Sequence, residues 1–333
     1  MSFNAYAARE RGGALEPFDY DADPLGADDV EIEITHCGIC HSDVHLVDDD
    51  WGISRYPLVP GHEIVGVVKA KGDDAEVEIG ARVGVGWQRG SCGECEWCER
   101  DEENVCPDMR ATCVDGYGGF ADRIRIDGRF VLPIPERISS EAAGPLFCGG
   151  VTVFAPALRW MIDAKTKVGV VGVGGLGHLA LQFSRAMGCE TTAFSSTPAK
   201  EEEARGFGAD RFVVSTDAGE MKSARNLVDF LLVTASADID WRAHLAALRP
   251  NGVMCVVGAP PSPICLPAGA YHVGQKTVTG SAIGSPRAIR ETLQFAADHG
   301  VRPQTELYPF EEADRALART RANEARYRVV LGR

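Results

Sequence analysis

The sequence predicts an α/β protein with two domains, one β-rich and one built on a doubly wound parallel sheet. Short strand patterns punctuated by glycine and proline fill the first 150 residues, with apolar alternation at 30–34 and 64–68. From about Lys167, buried-type strands alternate with helices. The last 50 residues return to isolated elements, an amphipathic helix at 286–299 and a strand at 327–331.

Each part of this prediction rests on particular segments. The early strands fit a compact antiparallel barrel or sandwich. In the middle of the chain we expect strands at 168–171, 191–194, 229–234 and 252–258 and helices at 176–187 and 200–207. Strands alternating with helices indicate a parallel doubly wound sheet. We therefore expect a β-rich domain made of 1–149 and 284–333, interrupted by a second domain at 150–283.

Composition narrows the class of protein. The chain has 333 residues, 45% of them hydrophobic, and its 34 basic against 48 acidic residues give a net charge of −14. Such a charge repels nucleic acid, so we expect no nucleic-acid partner. The sequence lacks a run of about 18 apolar residues, and residues 1–6 lack the basic and apolar regions of a signal peptide. We expect a cytoplasmic protein without a membrane segment.

The spacing of the cysteines indicates a metal site. The sequence has eleven cysteines, of which four form a Cys-x2-Cys-x2-Cys-x7-Cys run in a loop-like lobe at 90–107; they are Cys92, Cys95, Cys98 and Cys106. Four thiolates can close a tetrahedron around zinc and leave no position open for chemistry, which predicts a structural site. Unbound buried thiols are disfavoured because the neighbouring residues are polar. Spacing alone leaves an iron–sulfur cluster open.

A second set of metal-ligating residues is spread along the chain. Cys40 and His62 precede Cys148 by about 110 and 90 residues. Two thiolates and one imidazole would give zinc three ligands and leave the fourth position for water or substrate. Taken singly, each is more typical of a structural residue, so the prediction rests on the combination.

A glycine-rich turn follows the strand at 168–171 and opens the next helix. This strand–turn–helix context is the one in which such a turn binds a dinucleotide, because glycine allows the pyrophosphate to approach the helix N-terminus. The predicted cofactor-binding residues of the turn are Gly172, Gly174, Gly175, Leu176 and Gly177.

Together these motifs resemble the zinc-containing medium-chain alcohol dehydrogenases. The signatures occur in the family's order: Cys40-x-Ser42-Asp43, Gly61-His62-Glu63, the four-cysteine lobe, Cys148-Gly-Gly-Val-Thr152 and the glycine-rich turn. Stretches such as 38–43, 51–57, 193–200 and 325–330 are most similar to the cinnamyl-alcohol-dehydrogenase-like branch, in particular to bacterial broad-range NADP-dependent aldehyde reductases. The resemblance covers nearly the whole chain and implies a GroES-like catalytic domain, a Rossmann cofactor domain and zinc in the four-cysteine lobe.

The resemblance also implies roles for individual residues. Cys40, His62 and Cys148 would hold a catalytic zinc, so that each chain would bind two Zn²⁺ ions. Glu63 would be a transient ligand beside them. Asp43 would orient His62. Ser42 and His45 would carry a proton between the reacting oxygen and solvent; the alternative for His45 is a solvated surface histidine.

The residues after the second strand of the cofactor domain indicate which dinucleotide binds. An acid there favours NAD, whereas hydroxyl and basic groups favour the 2′-phosphate of NADP. Ser195, Ser196 and Lys200 occupy this region, so we expect NADP(H). The same segment is also a suitable cap for the next helix, with which NADP binding is compatible. Thr152 matches the family position beside the nicotinamide.

The implied reaction is reduction of small aldehydes to primary alcohols by NADPH, and the reverse. Trp51 and Trp87 are candidates for an apolar substrate wall, which favours aliphatic or aromatic aldehydes. Zinc and nicotinamide are expected to meet in a cleft between the domains. The alternatives are an NAD-dependent zinc polyol or secondary-alcohol dehydrogenase and a non-catalytic zinc-scaffold protein. The resemblance implies a homodimer, although tetramers occur.

Overall fold

The computed structural model describes residues 2–333. Its strands are β1 (Ser2–Ala8), β2 (Leu15–Asp21), β3 (Asp29–Ile39), β4 (Glu63–Lys71), β5 (Arg82–Val85), β6 (Gln88–Gly90), β7 (Arg110–Ala111), β8 (Arg123–Asp127), β9 (Leu132–Pro133), β10 (Lys167–Val171), β11 (Glu190–Ser195), β12 (Arg211–Val214), β13 (Val228–Val233), β14 (Leu248–Val256), β15 (Thr277–Gly280), β16 (Thr305–Pro309) and β17 (Arg328–Gly332). Its α-helices are α1 (His41–Val47), α2 (Ser140–Pro145), α3 (Val151–Arg159), α4 (Gly177–Ala186), α5 (Glu201–Phe207), α6 (Ala218–Ser223), α7 (Trp241–Ala247), α8 (Ala268–His272), α9 (Pro286–His299) and α10 (Ala313–Arg321).

The chain divides into two compact units. The first comprises Met1–Val151, Gly284–Asp298 and Pro303–Arg333, and the second comprises Thr152–Ile283 and His299–Arg302. The short segment His299–Arg302 groups with the second unit, whereas the sequence placed it in the catalytic domain. The reason is local, because Gln182 of α4 accepts a hydrogen bond from Arg302 N at 3.1 Å and donates one to Arg302 O at 2.9 Å.

The first unit is built on a mixed seven-stranded sheet. The strand order is β16-β17-β3-β4-β5-β9, and β8 also pairs with β3. The long strand β3 contains alternating Val30, Ile32 and Ile34, all of them fully buried. These side chains pack in one apolar core with residues from β4, α1, α10 and the loop around Phe120. The sheet thereby fixes the ends of β3, β4 and β17 relative to one another.

A continuous helical stretch at 140–159 joins α2 to α3 through a π-helical turn at Leu146–Gly150. Within residues 2–333 it is the one helix long and apolar enough to cross a membrane by length and composition, and 83% of its most apolar window is buried inside the protein. Burial of this kind is typical of a core helix. The π-turn contains Cys148, and such turns are frequent at functional sites.

The second unit is a six-stranded parallel sheet in the order β12-β11-β10-β13-β14-β15. Every pairing in it is parallel, with helices in the connections. This is the doubly wound order in which a dinucleotide binds outside the carboxyl ends of the strands. The sequence-based prediction of the α/β class and of the strand–helix alternation is confirmed.

Candidate active site and metal centres

The four cysteines of the lobe converge. Their Sγ–Sγ distances are 3.9 Å for Cys92–Cys98, 3.6 Å for Cys95–Cys98, 3.8 Å for Cys95–Cys106 and 3.6 Å for Cys92–Cys106. Zn–S bonds of about 2.3 Å in a tetrahedron require sulfurs about 3.8 Å apart. Backbone N–H groups of Glu94 and Cys95 lower the pKa of Cys92 to about 7, which favours the thiolate ligand. This donor set therefore fits a closed zinc site.

A second group of ligand atoms meets where β3 ends and β4 begins. In this antiparallel pair Gly38 lies opposite Glu63, so Cys40 and His62, at the adjoining strand ends, come together. The π-turn brings in Cys148, whose Sγ lies 3.3 Å from His62 Nε2 and 3.9 Å from Cys40 Sγ. Ligand atoms of Cys40, His62, Glu63 and Cys148 all lie within 4.8 Å of one another. The structure thus brings together the residues that the sequence assigned to a catalytic metal.

Electrostatics in this group favour the thiolate form of Cys40. Hydrogen bonding from Cys148, and then from His62, holds the pKa of Cys40 well below its usual value despite burial. A thiolate, one imidazole and a further thiol that loses its proton on binding form a donor set typical of zinc. The residues present therefore fit the ion.

Asp43 is the fully buried residue that ties the group together. Its Oδ1 accepts hydrogen bonds from His62 Nδ1 at 3.0 Å and from Gly61 N at 2.8 Å, and its Oδ2 accepts one from Cys40 N at 2.8 Å. The bond to Nδ1 leaves His62 Nε2 free of a proton in the neutral ring and directs it towards Cys148. Gly61 has φ of +102°, and a Cβ there would lie 2.6 Å from Phe120, so this close approach requires glycine.

Arg328 is a site residue that the sequence reasoning missed. It begins β17, which pairs with the end of β3, and its guanidinium donates to Glu63 Oε1. Both side chains are almost completely buried. Burial raises the pKa of Glu63 to about 7, although the Arg328 charge lowers it. Glu63 Oε2 has no hydrogen-bond partner within residues 2–333, and it remains available to a metal.

The candidate proton-transfer residues lie on α1. Ser42 Oγ lies 3.6 Å from Cys40 Sγ. His45 Nδ1 lies 2.7 Å from Asp50 Oδ2, a partner that the sequence reasoning did not identify. Across residues 2–333, no direct hydrogen bond joins Ser42 to His45, so the structure does not connect the two predicted proton-transfer residues by itself.

Two tryptophans extend from the ligand His62 towards solvent. The Trp87 ring meets the His62 ring edge-to-face, with centroids 5.1 Å apart. Trp51 lies 6.3 Å from Trp87 and 5.2 Å from His45, and it is 40% exposed. Both predicted wall residues therefore lie beside the metal-ligating group, in contact with one another.

The glycine-rich turn has the geometry of a dinucleotide cradle. Gly172 has φ of +94°, and a Cβ on Gly177 would lie 1.8 Å from Gly172 O. A Cβ on Gly174 would face open space. Leu176 lies at the N-cap of α4, and Gly175 precedes it. Backbone can thus approach a pyrophosphate closely at the N-terminus of this ten-residue helix.

A cavity of about 600 Å³ lies at the carboxyl ends of β10–β13. Its lining is formed by Val171, Gly172, Phe194, Ser196, Ser215, Thr216, Ala218, Met221, Lys222, Arg225, Ala235, Ala237, Asp238, Ile239, Asp240, Ala243, His244 and Ala246. Ser196 is exposed in it, whereas Ser195 is buried and its Oγ caps the turn by accepting from Thr197 N at 3.2 Å. Lys200 pairs with Glu203 at 3.4 Å, and Thr152 lies half-buried in α3. Of the three residues predicted to read the 2′-phosphate, Ser196 alone lines the cavity.

Family models match both units. Residues 26–136 match the alcohol dehydrogenase GroES-like domain, and residues 175–298 match the zinc-binding dehydrogenase model. The chain belongs to the zinc-binding dehydrogenases that contain an alcohol dehydrogenase GroES-like domain.

Relatives and solved structures place it more narrowly. The chain is 44% identical over 328 residues to the aldehyde reductase AdhA of Synechocystis sp., covering 98% of each chain, and 40% identical to the 8-hydroxygeraniol dehydrogenase of Catharanthus roseus, covering 98% of this chain and 93% of the relative. The structure of a Sorghum bicolor cinnamyl alcohol dehydrogenase matches with a TM-score of 0.96 and 40% identity, covering 100% of this chain and 98% of that one. A Helicobacter pylori structure described as CAD complexed with NADP(H) matches with a TM-score of 0.92 and 30% identity, with the same coverage. The expected resemblance to the cinnamyl-alcohol-dehydrogenase-like branch is confirmed.

Proposed function

We propose that this protein is a zinc-dependent oxidoreductase that reduces aldehydes to primary alcohols with NADPH, and runs the reverse reaction. The observation that supports this most strongly is the convergence of Cys40, His62, Glu63 and Cys148 within 4.8 Å in a buried group. The relatives named above as an aldehyde reductase and as alcohol dehydrogenases support the same reaction class.

Cys40, His62 and Cys148 would hold the catalytic zinc, and the cysteines of the lobe would hold a second. Zinc bound there supplies Lewis acidity towards a carbonyl or alcohol oxygen, and the nicotinamide supplies or accepts the hydride. Asp43 fixes the tautomer and direction of His62. Arg328 binds one oxygen of Glu63 and would compensate its charge, so that this carboxylate would not permanently occupy the open position.

The hydroxyl of Ser42 and the imidazole of His45 would transfer the proton between the reacting oxygen and solvent. Ser42 lies against the sulfur of Cys40, where it can donate a proton to the oxygen of a carbonyl group that is reduced at the same site. His45, held by Asp50 at 2.7 Å, lies one helical turn further on and towards solvent. A water or a substrate hydroxyl would bridge Ser42 and His45, because they share no direct bond. Trp51 and Trp87 would contact an apolar aldehyde tail.

NADP(H) is the cofactor we propose for the second unit, which would be the cofactor domain. The glycine turn would hold the pyrophosphate, and Ser196, with Lys222 and Arg225 in the same cavity, would face the 2′-phosphate. Ser195 and Lys200 would shape the turn that follows β11. Ser195 would do so by capping it and Lys200 through its ion pair with Glu203. Thr152 would pack beside the nicotinamide.

We also propose a cytoplasmic homodimer. The exposed segment 259–280 contains a single formally charged residue, Lys276, in a chain that is 25% charged. It ends in β15, an edge strand of the sheet, and it exposes Ile264, Tyr271, Val273 and Val278. Edge strands and exposed apolar patches are typical of subunit contacts. Sedimentation should give twice the chain mass, and Val278→Lys should shift it towards the monomer.

The direct test is oxidation of NADPH, followed at 340 nm, on addition of benzaldehyde or hexanal to the purified protein. We expect turnover with NADPH and at least tenfold weaker kcat/KM with NADH, a difference of about 1.4 kcal/mol. Ser196→Asp, which places a carboxylate in the cavity, should shift the preference towards NADH. Turnover with NADH tenfold better than with NADPH, or activity confined to polyols, would overturn the proposal in favour of an NAD-dependent polyol dehydrogenase.

A further inference from the structure

His244 is a buried histidine whose ring has one unused nitrogen. It lies on α7, is 1% exposed and lines the 600 Å³ cavity. Its Nδ1 lies 2.8 Å from Asp240 O, and because a carbonyl oxygen only accepts, Nδ1 carries the proton. Its Nε2 has no hydrogen-bond partner within residues 2–333.

The unused nitrogen can only be an acceptor. Burial lowers the pKa of His244, which keeps the ring neutral near pH 7. A neutral ring that donates from Nδ1 has a lone pair on Nε2. Leaving a buried acceptor unpaired is unfavourable, so a bound donor at this point would be stabilised.

The cavity is in the right place for the adenosine half of a dinucleotide. It begins at Gly172 of the pyrophosphate turn and passes Ser196 at the end of β11 to Ser215 and Thr216 at the end of β12. In a doubly wound sheet of this order, the ribose is read at the end of the second strand, which is β11 here. Met221 and Ala243 provide apolar lining for a flat ring.

We propose that His244 is a specificity-determining residue for the base of the cofactor, with Nε2 accepting a hydrogen bond from the exocyclic amino group of adenine. This inference rests on the proposed NADP(H)-dependent function. Because Nε2 is itself buried, contact with the base requires a small shift of the side chains that line the cavity. A base with a carbonyl oxygen in place of the amino group would set two acceptors against each other.

The test compares two ligands that differ at this one group. NADPH and its hypoxanthine analogue, in which oxygen replaces the amino group, are titrated into the full-length protein by calorimetry, so the readout is Kd rather than activity. We expect the wild-type protein to bind NADPH about tenfold more tightly, which corresponds to about 1.4 kcal/mol. His244→Leu removes the acceptor and should reduce the ratio to about one.

His299→Leu is the matched control, because His299 is exposed at the end of α9 and does not line the cavity. It should keep the wild-type ratio. Equal affinity of the wild-type protein for the two ligands, or an unchanged ratio in His244→Leu, would overturn the role of His244 and leave NADP(H) dependence intact. Failure of the wild-type protein to bind either ligand would instead refute the proposed cofactor.

A second measurement does not depend on how the variant folds. In wild-type protein with ¹⁵N-labelled histidine, NADPH should shift the His244 Nε2 resonance in the direction expected for a lone pair that accepts a hydrogen bond. The hypoxanthine analogue should leave it near its free value. The same shift with both ligands, or none with NADPH, would contradict the assignment.

Discussion

The two cysteine-containing groups of the first unit differ in how the chain assembles them. Cys92, Cys95, Cys98 and Cys106 lie within fifteen residues, and their sulfurs already stand 3.6–3.9 Å apart. Cys40 and Cys148 are separated by more than a hundred residues, and their meeting with His62 depends on the pairing of β3 with β4 and on the π-turn.

The two groups also differ in their burial and in the side chains that surround them. The lobe has four cysteines, three of them half-buried in a polar loop, and a zinc ion bound by all four would have no open position. The Cys40 group is buried, contains a carboxylate held by Arg328, and has its imidazole oriented by Asp43. We propose that one arrangement would hold a loop in place and that the other could exchange a ligand. A matched pair of cysteine variants should therefore have opposite effects.

The largest expected effect is on activity. Cys148→Ser removes a ligand from the buried group and should lower kcat/KM at least about 10³-fold, or about 4 kcal/mol of transition-state stabilisation. The melting temperature should change by only a few degrees. Cys189→Ser, at a cysteine of the second unit outside both groups, is the control and should retain activity. Retained activity in Cys148→Ser would remove Cys148 from the site.

Cys98→Ser should instead act on stability. Loss of a closed metal site should cost about 3 kcal/mol of unfolding free energy. For a cooperative unit of about 200 residues, the size of the first unit, this corresponds to a fall of roughly 6–12 °C in melting temperature. Protein that remains folded should keep a measurable kcat. A thermal unfolding curve identical to wild type would contradict a structural role for the lobe.

Asp43→Asn keeps the shape of the side chain but weakens its hold on His62. We expect a 10–100-fold loss in metal affinity or activity, the usual effect of removing a carboxylate that orients a ligating histidine. Metal affinity is measured by competition with a chelator, and Asp298→Asn, at an exposed position of α9, is the control. Wild-type affinity and rate together would show that Asp43 does not orient the ligand.

Smaller effects are expected for the residues at the solvent side of the proposed proton-transfer path. His45→Gln should slow turnover about 100-fold if it transfers the proton, and Asp50→Asn should slow it by about tenfold by releasing the ring. Both variants should keep the wild-type zinc content and an enlarged solvent isotope effect should accompany the slower rate. A slow His45→Gln beside an unaffected Asp50→Asn would limit Asp50 to a structural contact.

The four-cysteine lobe and the buried group also differ in how far the sequence predicts them. The lobe is complete in its spacing, and the parallel sheet is visible in the alternation of strands and helices, because both are local patterns. The ligands of the buried group could be assigned only from their combination and from the resemblance, since no local pattern connects Cys40 with Cys148.

The functional residues that could not be identified from the sequence are those whose roles depend on strand pairing or on a loop conformation. Arg328 reaches Glu63 across 265 positions of sequence, through the pairing of β17 with β3 and of β3 with β4. Its only local signal in the sequence is a charged residue inside the otherwise apolar strand pattern at 327–331. Asp50 is one of several acids after α1, and His244 is one histidine in an ordinary helix.

Metal content of three proteins tests the central claim most directly, namely that the two groups hold separate zinc ions with separate tasks. The wild-type protein, Cys148→Ser and Cys98→Ser are compared by native mass spectrometry, with activity and melting temperature measured on the same samples. We predict two zinc ions in the wild-type protein, and one in each variant, with Cys148→Ser stable but inactive. One zinc ion in the wild-type protein, or the loss of both ions in folded Cys148→Ser, would contradict it.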